Sequence, residues 1–225
     1  MKKDKITKVE GVKSLDEAVK LIPELSTSKF VGSVDIDIVL NLKQSQKKEI
    51  IRGSVSMPHS MGEEKKVIVF CEEKDLKKAQ DAGASKAGLE DLMAEVEKGF
   101  SDFDVVIATP AVMPKIARLG KALGPKGLMP NPKNGTITTD IEKAIASFKA
   151  GRVNYKSVPD QGVVRMKVAK VNMAPEEIKA NTVALLKSVF NEAKRLNGNP
   201  FKKVTLSPTM GAGVKVDISD IMAQL

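Results

Sequence analysis

Polar and apolar residues alternate along segments near the two ends of the chain. In SVDIDIVLNL, residues 33–42, every second residue is apolar, and Asp35 and Asp37 fall on the opposite side. Period-two alternation is typical of strands in a sheet with one wet face, usually an antiparallel one. Three further segments share the pattern: VVRMKVAKV (163–171), VTLSP (204–208) and VKVDI (214–218).

The strand-like segments in the middle of the chain are almost wholly apolar. They are VIVFC at 67–71 and VVIA at 105–108. Such runs are typical of parallel strands that helices cover on both faces. Helical patterns interleave with them, which indicates βαβ units. These patterns lie near 74–82, 89–98, 111–122 and 140–150.

Two helices are predicted outside this central segment. SLDEAVKLI begins with the spacing of a capping box, from Ser14 to Glu17. The stretch 174–198 has the pattern of one long amphipathic helix, with Pro175 in its first turn and Gly198 closing it. The end segments therefore combine helices with one-sided strands.

The two kinds of strand predict a discontinuous two-domain chain. Residues 1–62 and 159–225 together would form an α+β domain, and residues 63–158 an inserted Rossmann-like α/β domain. The chain would cross between them near Gly62 and Pro159. The fold class is thus α+β and α/β in one protein.

Charge adds an expectation about the partner. The net charge is +9, and it is uneven, because residues 63–110 sum to −5 whereas residues 111–158 sum to +7. A basic protein of this kind is expected to bind a polyanion. The chain has no Trp, one Tyr and seven Phe, which leaves few platforms for base stacking. Recognition of phosphates, sugar hydroxyls and shape, as for folded RNA, is therefore expected.

The usual enzymatic signatures fail. Gly120-Lys121 lacks the remaining residues of a phosphate-binding loop, and the one G-x-G, at Gly211 to Gly213, runs into a strand-like segment. One His and one Cys cannot supply a metal site or a nucleophilic set, so we expect no metal and no cofactor. A small-ligand enzyme that uses the parallel sheet is kept as the alternative.

The apolar runs, the N-terminus and the single cysteine bear on where the protein is located in the cell. The sequence offers no apolar run long enough for a membrane span and no secretory signal. The single cysteine, Cys71, lies in an apolar run and fits a reducing cytoplasm. We therefore expect a cytoplasmic protein with no membrane partner.

A stiff, basic loop stands out in the inserted segment. LGPKGLMPNPKNG, residues 123–135, holds three prolines and three glycines, with Lys126 and Lys133 among them. Prolines fix φ and remove N–H donors, so a rigid surface is expected here. The loop either contacts RNA or is merely a shaped connection.

Four stretches together resemble one family. They are LGPKGLMPNPKNGT, IRGSVSMPHSMG at 51–62, SKF at 28–30 and TLSPTMGAGVKVD at the end of the chain. The sequence resembles, over essentially its whole length, the bacterial type of the family of the first protein of the large ribosomal subunit. The resemblance implies a terminal α+β domain joined by a two-stranded hinge to a Rossmann-like insertion.

The resemblance also implies a function and partners. It implies a structural constituent of the large ribosomal subunit that binds the folded stalk region of large-subunit rRNA. It further implies help with tRNA release from the exit site and repression of translation of the protein's own mRNA. The protein would act as a monomer within the ribosome, without catalysis.

Site residues follow from the same resemblance. Gly62 and Pro159 would belong to the hinge, and Lys126 and Lys133 to a possible second RNA surface. Thr209 would donate to a phosphate or 2′-OH, and Lys29 and Arg52 would contact phosphates. The implied RNA-binding residues are Lys29, Phe30, Ser33, Arg52, His59, Arg165, Lys170, Ser207, Thr209, Met210 and Gly211.

Some of these residues have a second interpretation. His59 either contacts RNA or hydrogen-bonds within the hinge, and Phe30 and Met210 either contact RNA or pack inside. The chain also departs from the family pattern at three positions. Arg165 occupies a position where the family usually has His, and Ala169 and Ser60 occupy positions where it usually has Gly. The basic N-terminal helix of the family is shortened here.

Overall fold

The structure is a computed structural model that describes residues 11–42, 50–62, 65–124, 127–159, 161–194 and 200–224. The strands are β1 (Val12–Lys13), β2 (Ser33–Leu40), β3 (Arg52–Ser56), β4 (Val67–Phe70), β5 (Lys86–Gly88), β6 (Val105–Ala108), β7 (Arg152–Val158), β8 (Val163–Lys170), β9 (Phe201–Pro208) and β10 (Val214–Val216). The helices are α1 (Leu15–Leu25), α2 (Leu76–Asp81), α3 (Glu90–Glu97), α4 (Met113–Ile116), α5 (Gly120–Leu123), α6 (Ile141–Lys149), α7 (Pro175–Ala193) and α8 (Ile218–Gln224).

A seven-stranded sheet contains the strands from both ends of the chain. Its order is β1-β10-β9-β2-β8-β7-β3, and β2 pairs antiparallel with both β8 and β9. Val34, Ile36 and Ile38 are fully buried while the residues between them are half-buried, as the alternation predicts. Helices α1 and α7 contribute to the core on the buried face, so this part is α+β.

The middle of the chain builds a second, parallel sheet in the order β5-β4-β6. Alternate residues of β4 enter two separate cores. Ile68 and Phe70 pack in a cluster with residues of α3 and α4, whereas Val67 and Val69 pack with residues of α2 and α6. A strand that is buried on both faces must be apolar throughout, which explains the run VIVFC. The predicted fold class is therefore confirmed.

The chain forms two compact units. One consists of Met1–Met61 with Val153–Leu225, which we call the split unit, and the other is Gly62–Arg152, the inserted unit. The sequence predicted the second crossing near Pro159, whereas in the structure it lies between Arg152 and Val153. The reason is β7, which the sequence analysis did not predict and which is a strand of the seven-stranded sheet.

The helix predicted at 111–122 is interrupted. The chain from Pro110 to Leu123 is a series of short 3-10 and α-helical turns. Pro114 suits only the first turn of a helix, so a new segment begins at Met113. Gly120 has low helix propensity and begins the next segment.

Candidate nucleic-acid interface

One end of the seven-stranded sheet gathers several of the predicted RNA-binding residues. Ser33 begins β2 and pairs with Lys170, the last residue of β8, while Val34 pairs with Pro208 at the end of β9. Thr209 follows directly. We call this region, defined by Ser33, Lys170 and Thr209, the Thr209 end of the sheet.

The Thr209 hydroxyl is used within the protein. It accepts a hydrogen bond from the Ser33 N–H at 2.9 Å and donates to the Ser33 carbonyl at 3.1 Å. The Thr209 N–H donates to the same carbonyl at 2.9 Å. In this conformation the hydroxyl is bonded to both backbone groups of Ser33, and its donation to a phosphate or 2′-OH stays a prediction. Thr209 fixes the start of β2 against the end of β9.

Met210 is the outermost residue of the turn that follows. Its φ is 61°, the only positive φ among non-glycine residues that the structure describes, and 67% of the residue is exposed. The Thr27 hydroxyl donates to its carbonyl at 2.7 Å, and the Gly211 N–H donates to the Pro208 carbonyl at 3.0 Å. The turn therefore presents an apolar side chain to solvent.

Position 211 requires glycine because the surrounding atoms leave no space for a side chain. A Cβ at this position would lie 2.4 Å from the Leu25 carbonyl oxygen and 2.5 Å from Pro208 Cγ, closer than any real contact. The Met210 turn is thereby packed against the end of α1. This explains the glycine structurally, and the explanation is compatible with an RNA contact next to it.

The loop from Ser26 to Gly32 lies against the same turn. Phe30 and Val31 are 59% and 60% exposed, so the interpretation of Phe30 as a core residue is wrong. The Ser28 hydroxyl donates to the Phe30 carbonyl at 2.9 Å. Lys29 is exposed. Two exposed apolar residues and a cation thus stand on a loop whose backbone is hydrogen-bonded in place.

The solvent face of the sheet carries acidic side chains beside the predicted basic ones. Arg165 Nε lies 3.1 Å from Asp37 Oδ1, and Asp35 pairs in register with Ser207 and Lys167. Burial raises the pKa of the Asp35 carboxyl, Asp37 raises it further, and Lys167 opposes the shift. Arg165 is thus neutralised in part by its neighbour, which weakens it as a phosphate contact.

Arg52 and His59 come from one segment but lie apart. The Ile51 carbonyl accepts from Ser157, which pairs with Val164, and Val164 pairs with Ile38. Arg52 is therefore near the far end of the sheet. Five residues of strand, about 17 Å, separate Ile38 from Ser33. The structure does not bring Arg52 to the Thr209 end.

His59 does reach the neighbourhood of this end, through Asn181, a residue that no sequence motif singled out. The fully buried side chain of Asn181 in α7 hydrogen-bonds to the His59 backbone and to the Val168 carbonyl near the end of β8. His59 Nδ1 lies 3.8 Å from Glu177 Oε1. An asparagine in line with Leu185 and Val189 on a buried helix face was the one available signal.

Of the predicted hinge residues, Gly62 has a φ of 68° with open space around it, and Pro159 is exposed.

Of the two residues predicted for the second RNA surface, Lys126 lies outside the described residues, and so does the side chain of Lys133. The nearby exposed cations are Lys115, Arg118 and Lys121.

The Pro- and Gly-rich loop is held by internal hydrogen bonds where it is described. The Thr136 hydroxyl accepts from the Asn131 N–H at 2.8 Å and donates to the Asn131 carbonyl at 3.0 Å. The Ala108 N–H of β6 donates to the Thr136 carbonyl at 2.9 Å. The loop therefore has a structural role at the edge of the parallel sheet.

A cavity of about 810 Å³ lies at the carboxyl ends of β4 and β5 in the inserted unit. Four acids (Glu72, Glu90, Asp91 and Glu95) and two lysines (Lys86 and Lys115) are among the residues that line it, and this excess of carboxylates disfavours a phosphate-bearing ligand. Cys71 is 1% exposed, and burial, together with Asp75, raises the pKa of its thiol. A protonated, buried thiol is a poor nucleophile.

The described ranges offer neither a metal-ligand cluster nor a membrane-spanning helix. They contain no group of three or more His, Cys, Asp or Glu residues placed to hold a metal ion. Within the same ranges, no helix is both long and apolar enough to cross a membrane.

These features define a class of protein: a two-unit α/β chain with an exposed, preformed loop surface on its split unit. Comparison with known proteins gives the family. The model of the Ribosomal protein L1p/L10e family matches residues 22–212, and the chain belongs to this family.

Curated relatives agree over nearly the full length. The chain is 41% identical to the Large ribosomal subunit protein uL1 of Hydrogenovibrio crunogenus, over 95% of this chain and 94% of the relative. It is 42% identical to uL1 of Shewanella loihica, over 95% of this chain and 93% of the relative. It is 39% identical to uL1 of Bacteroides thetaiotaomicron, over 93% and 91%. The family expected from the four sequence stretches is therefore confirmed.

Proposed function

We propose that this protein is a structural constituent of the large ribosomal subunit and binds the folded stalk region of large-subunit rRNA through its split unit. The observation that carries the proposal is the joined surface of residues 27–33 and 207–211. Its backbone is fixed by Thr27, Ser28 and Thr209, while Phe30 and Met210 are exposed. A surface that is ordered before binding loses little entropy when it binds.

The chemistry of this surface suits folded RNA. Phe30 and Met210 offer apolar contact to sugars or to an unstacked base, and Lys29 adds a phosphate contact. Thr209 contributes by holding the turn. Ser207, Lys170 and Arg165 are proposed as contacts at the margin, with Arg165 the weakest because of Asp37. Arg52 would contact a separate part of the RNA.

The wider role is proposed from the family. The protein would help release tRNA from the exit site, and it would repress translation of its own mRNA if that messenger presents a similar RNA structure. It would act as a monomer within the cytoplasmic ribosome and without a cofactor.

The second RNA surface is proposed for the inserted unit. Lys126 and Lys133 are its predicted members, and the exposed Lys115, Arg118 and Lys121 extend the same basic stretch. Lys115 also lies 3.8 Å from Glu90 Oε1, which reduces its share. The enzymatic alternative gains no support, since carboxylates outnumber lysines in the lining of the cavity in the inserted unit and its one thiol, Cys71, is buried.

The test is a salt titration of binding to a stalk-region rRNA fragment, beside a DNA duplex of equal length. Selective binding to the RNA supports the proposal, and equal binding to both would contradict it. Lys29→Ala is expected to reduce the slope of log K against log salt by about 1. Lys202→Ala is the matched control, because Lys202 is exposed near the opposite end of β9.

A further inference from the structure

Asn181 and its neighbour Thr182 are the two polar residues among the fully buried, otherwise apolar positions of helix α7. Asn181 is 0% exposed, and Ile178 and Leu185 on the same helix are equally buried. A buried amide is unfavourable unless its donors and acceptor are satisfied. Its partners therefore indicate why the position is polar.

The side chain of Asn181 makes three hydrogen bonds, and none of them joins it to its own helix. Its Oδ1 accepts from the His59 N–H at 3.0 Å, and its Nδ2 donates to the His59 carbonyl at 3.0 Å and to the Val168 carbonyl at 3.0 Å. A side-chain amide that bonds both backbone groups of one residue acts like the peptide group of a neighbouring strand.

His59 occupies a critical point of the chain. It lies three residues before Gly62, where the inserted unit begins. Strand β3 has ended at Ser56, so the regular pairing of the sheet no longer holds this segment. Asn181 supplies a replacement for that pairing.

We call the two hydrogen bonds between Asn181 and the His59 backbone the clamp. The third bond of Asn181, to the Val168 carbonyl, connects this clamp to the Thr209 end of the sheet. Val168 precedes Ala169, which pairs with Val34, and the next pair is Lys170 with Ser33. Ser33 in turn is held by Thr209. The His59 backbone is thus linked through one side chain to the strands that form the Thr209 end of the sheet.

We propose that Asn181 is a positioning residue for RNA binding, which holds His59 beside the Thr209 end so that its imidazole reaches the same RNA. This inference rests on the proposed function, but the clamp itself is a property of the free protein. Pro58 and His59 are exposed while the backbone of His59 is bound from below. The arrangement fixes the backbone and leaves the ring exposed to solvent, with its Nδ1 3.8 Å from Glu177 Oε1.

The clamp is tested by hydrogen exchange at the His59 amide in the full chain. We expect this amide to be protected in the wild type and to exchange at least about tenfold faster in Asn181→Leu, which keeps the bulk and removes the hydrogen bonds. Thr182→Val is the matched control. Thr182 is equally buried, but among the described residues its hydroxyl bonds only to the Ile178 carbonyl within α7, so the His59 amide should stay protected.

An unprotected His59 amide in the wild type would overturn the clamp. This wild-type measurement does not depend on whether any variant folds.

The role in binding is tested by a double-mutant cycle with the stalk-region rRNA fragment. Asn181→Leu and His59→Ala are each expected to weaken binding about fivefold, the effect of one hydrogen bond. The double variant should bind no more weakly than His59→Ala, since Asn181 acts through His59. Thr182→Val should bind as the wild type does.

The outcomes separate the two proposals. If the wild type binds the RNA selectively and the two effects multiply in the double variant, the positioning role is wrong while the proposed function stands. If the wild type does not bind the RNA, both are wrong, whatever the exchange at His59.

Discussion

Met210 combines an unfavourable backbone conformation with an exposed apolar side chain. A left-handed conformation costs a non-glycine residue about 1 kcal/mol or more, and burial offsets none of it here because the side chain faces solvent. Such strain is typical of positions kept for binding. The backbone strain at Met210 therefore destabilises the free protein, and it holds the Met210 side chain on the surface.

Met210→Gly should therefore separate stability from function. We expect the free energy of unfolding to rise by about 1 kcal/mol, because glycine adopts this φ without strain. Affinity for the rRNA fragment should fall, because the side chain is gone. Urea denaturation and an RNA titration measure the two effects. A less stable protein with unchanged affinity would contradict this account of Met210.

Gly211→Ala should disrupt the same turn from inside. The added Cβ would collide with the Leu25 carbonyl, so we expect a loss of about 1–3 kcal/mol in the free energy of unfolding together with weaker RNA binding. Gly120→Ala is the control. A Cβ added at Gly120 would meet no atom within 4 Å beyond the adjacent residues and its own helix backbone, and alanine is the better helix former, so that variant should be no less stable.

At the residue scale, the sequence predicted positions better than roles. The closing motif singled out Met210 and Gly211, and the structure shows a turn there in which Met210 is exposed and Gly211 leaves room for the Leu25 carbonyl. The structural role of Thr209 was not predicted, because a strand start within reach of its hydroxyl cannot be deduced from residues 176 positions away. Asn181 was missed for the same reason, since its partners belong to distant segments.

Helix α1 illustrates how elements from opposite ends of the chain depend on each other. Ser14 accepts a hydrogen bond from the Glu17 N–H at 3.3 Å, as the sequence predicted for its cap. The shorter bond comes from α8, where Asp220 Oδ2 accepts from the Leu15 N–H at 2.8 Å. A carboxylate at a helix N-terminus is also favoured by the helix dipole.

Asp220→Ala should accordingly cost more than Ser14→Ala. We expect a loss of about 1–2 kcal/mol in the free energy of unfolding for Asp220→Ala, within the range for lost caps, and less for Ser14→Ala because its bond is long and exposed. Urea denaturation of both variants measures the difference. The reverse order would show that the local cap, and not α8, secures the start of α1.

At the element scale, long strands were predicted from their hydrophobic pattern, whereas short strands were not. β2 and β8, with eight residues each, were predicted from their alternation. β1 and β5, with two and three residues, are too short to show a period. β7 was not predicted because two of its buried positions hold residues with polar groups, so RVNYKSV shows no apolar alternation. These residues are Tyr155 and Ser157, which are 3% and 1% exposed.

On the scale of the whole molecule, the two units have separate hydrophobic cores. Ile107→Ala removes a fully buried side chain from the inserted unit and should destabilise that unit by about 3 kcal/mol. Affinity for the rRNA fragment should change little. Ile36→Ala, the matched change in the split unit, should lower both stability and affinity. Hydrogen exchange resolved by unit provides the measurement, and an Ile107→Ala variant that loses RNA affinity would contradict the assignment of binding to the split unit.

The central claim is that the surface formed by residues 27–33 and 207–211 recognises the folded stalk region of rRNA. The most direct measurement is the affinity of the wild type, Phe30→Ala/Met210→Ala and Met222→Ala for the stalk-region fragment at one fixed salt concentration. Met222 is an exposed methionine on α8 and serves as the control. We predict at least about a tenfold loss for the double variant, the size of two lost apolar contacts, and none for Met222→Ala. Equal affinity of all three proteins would contradict the claim.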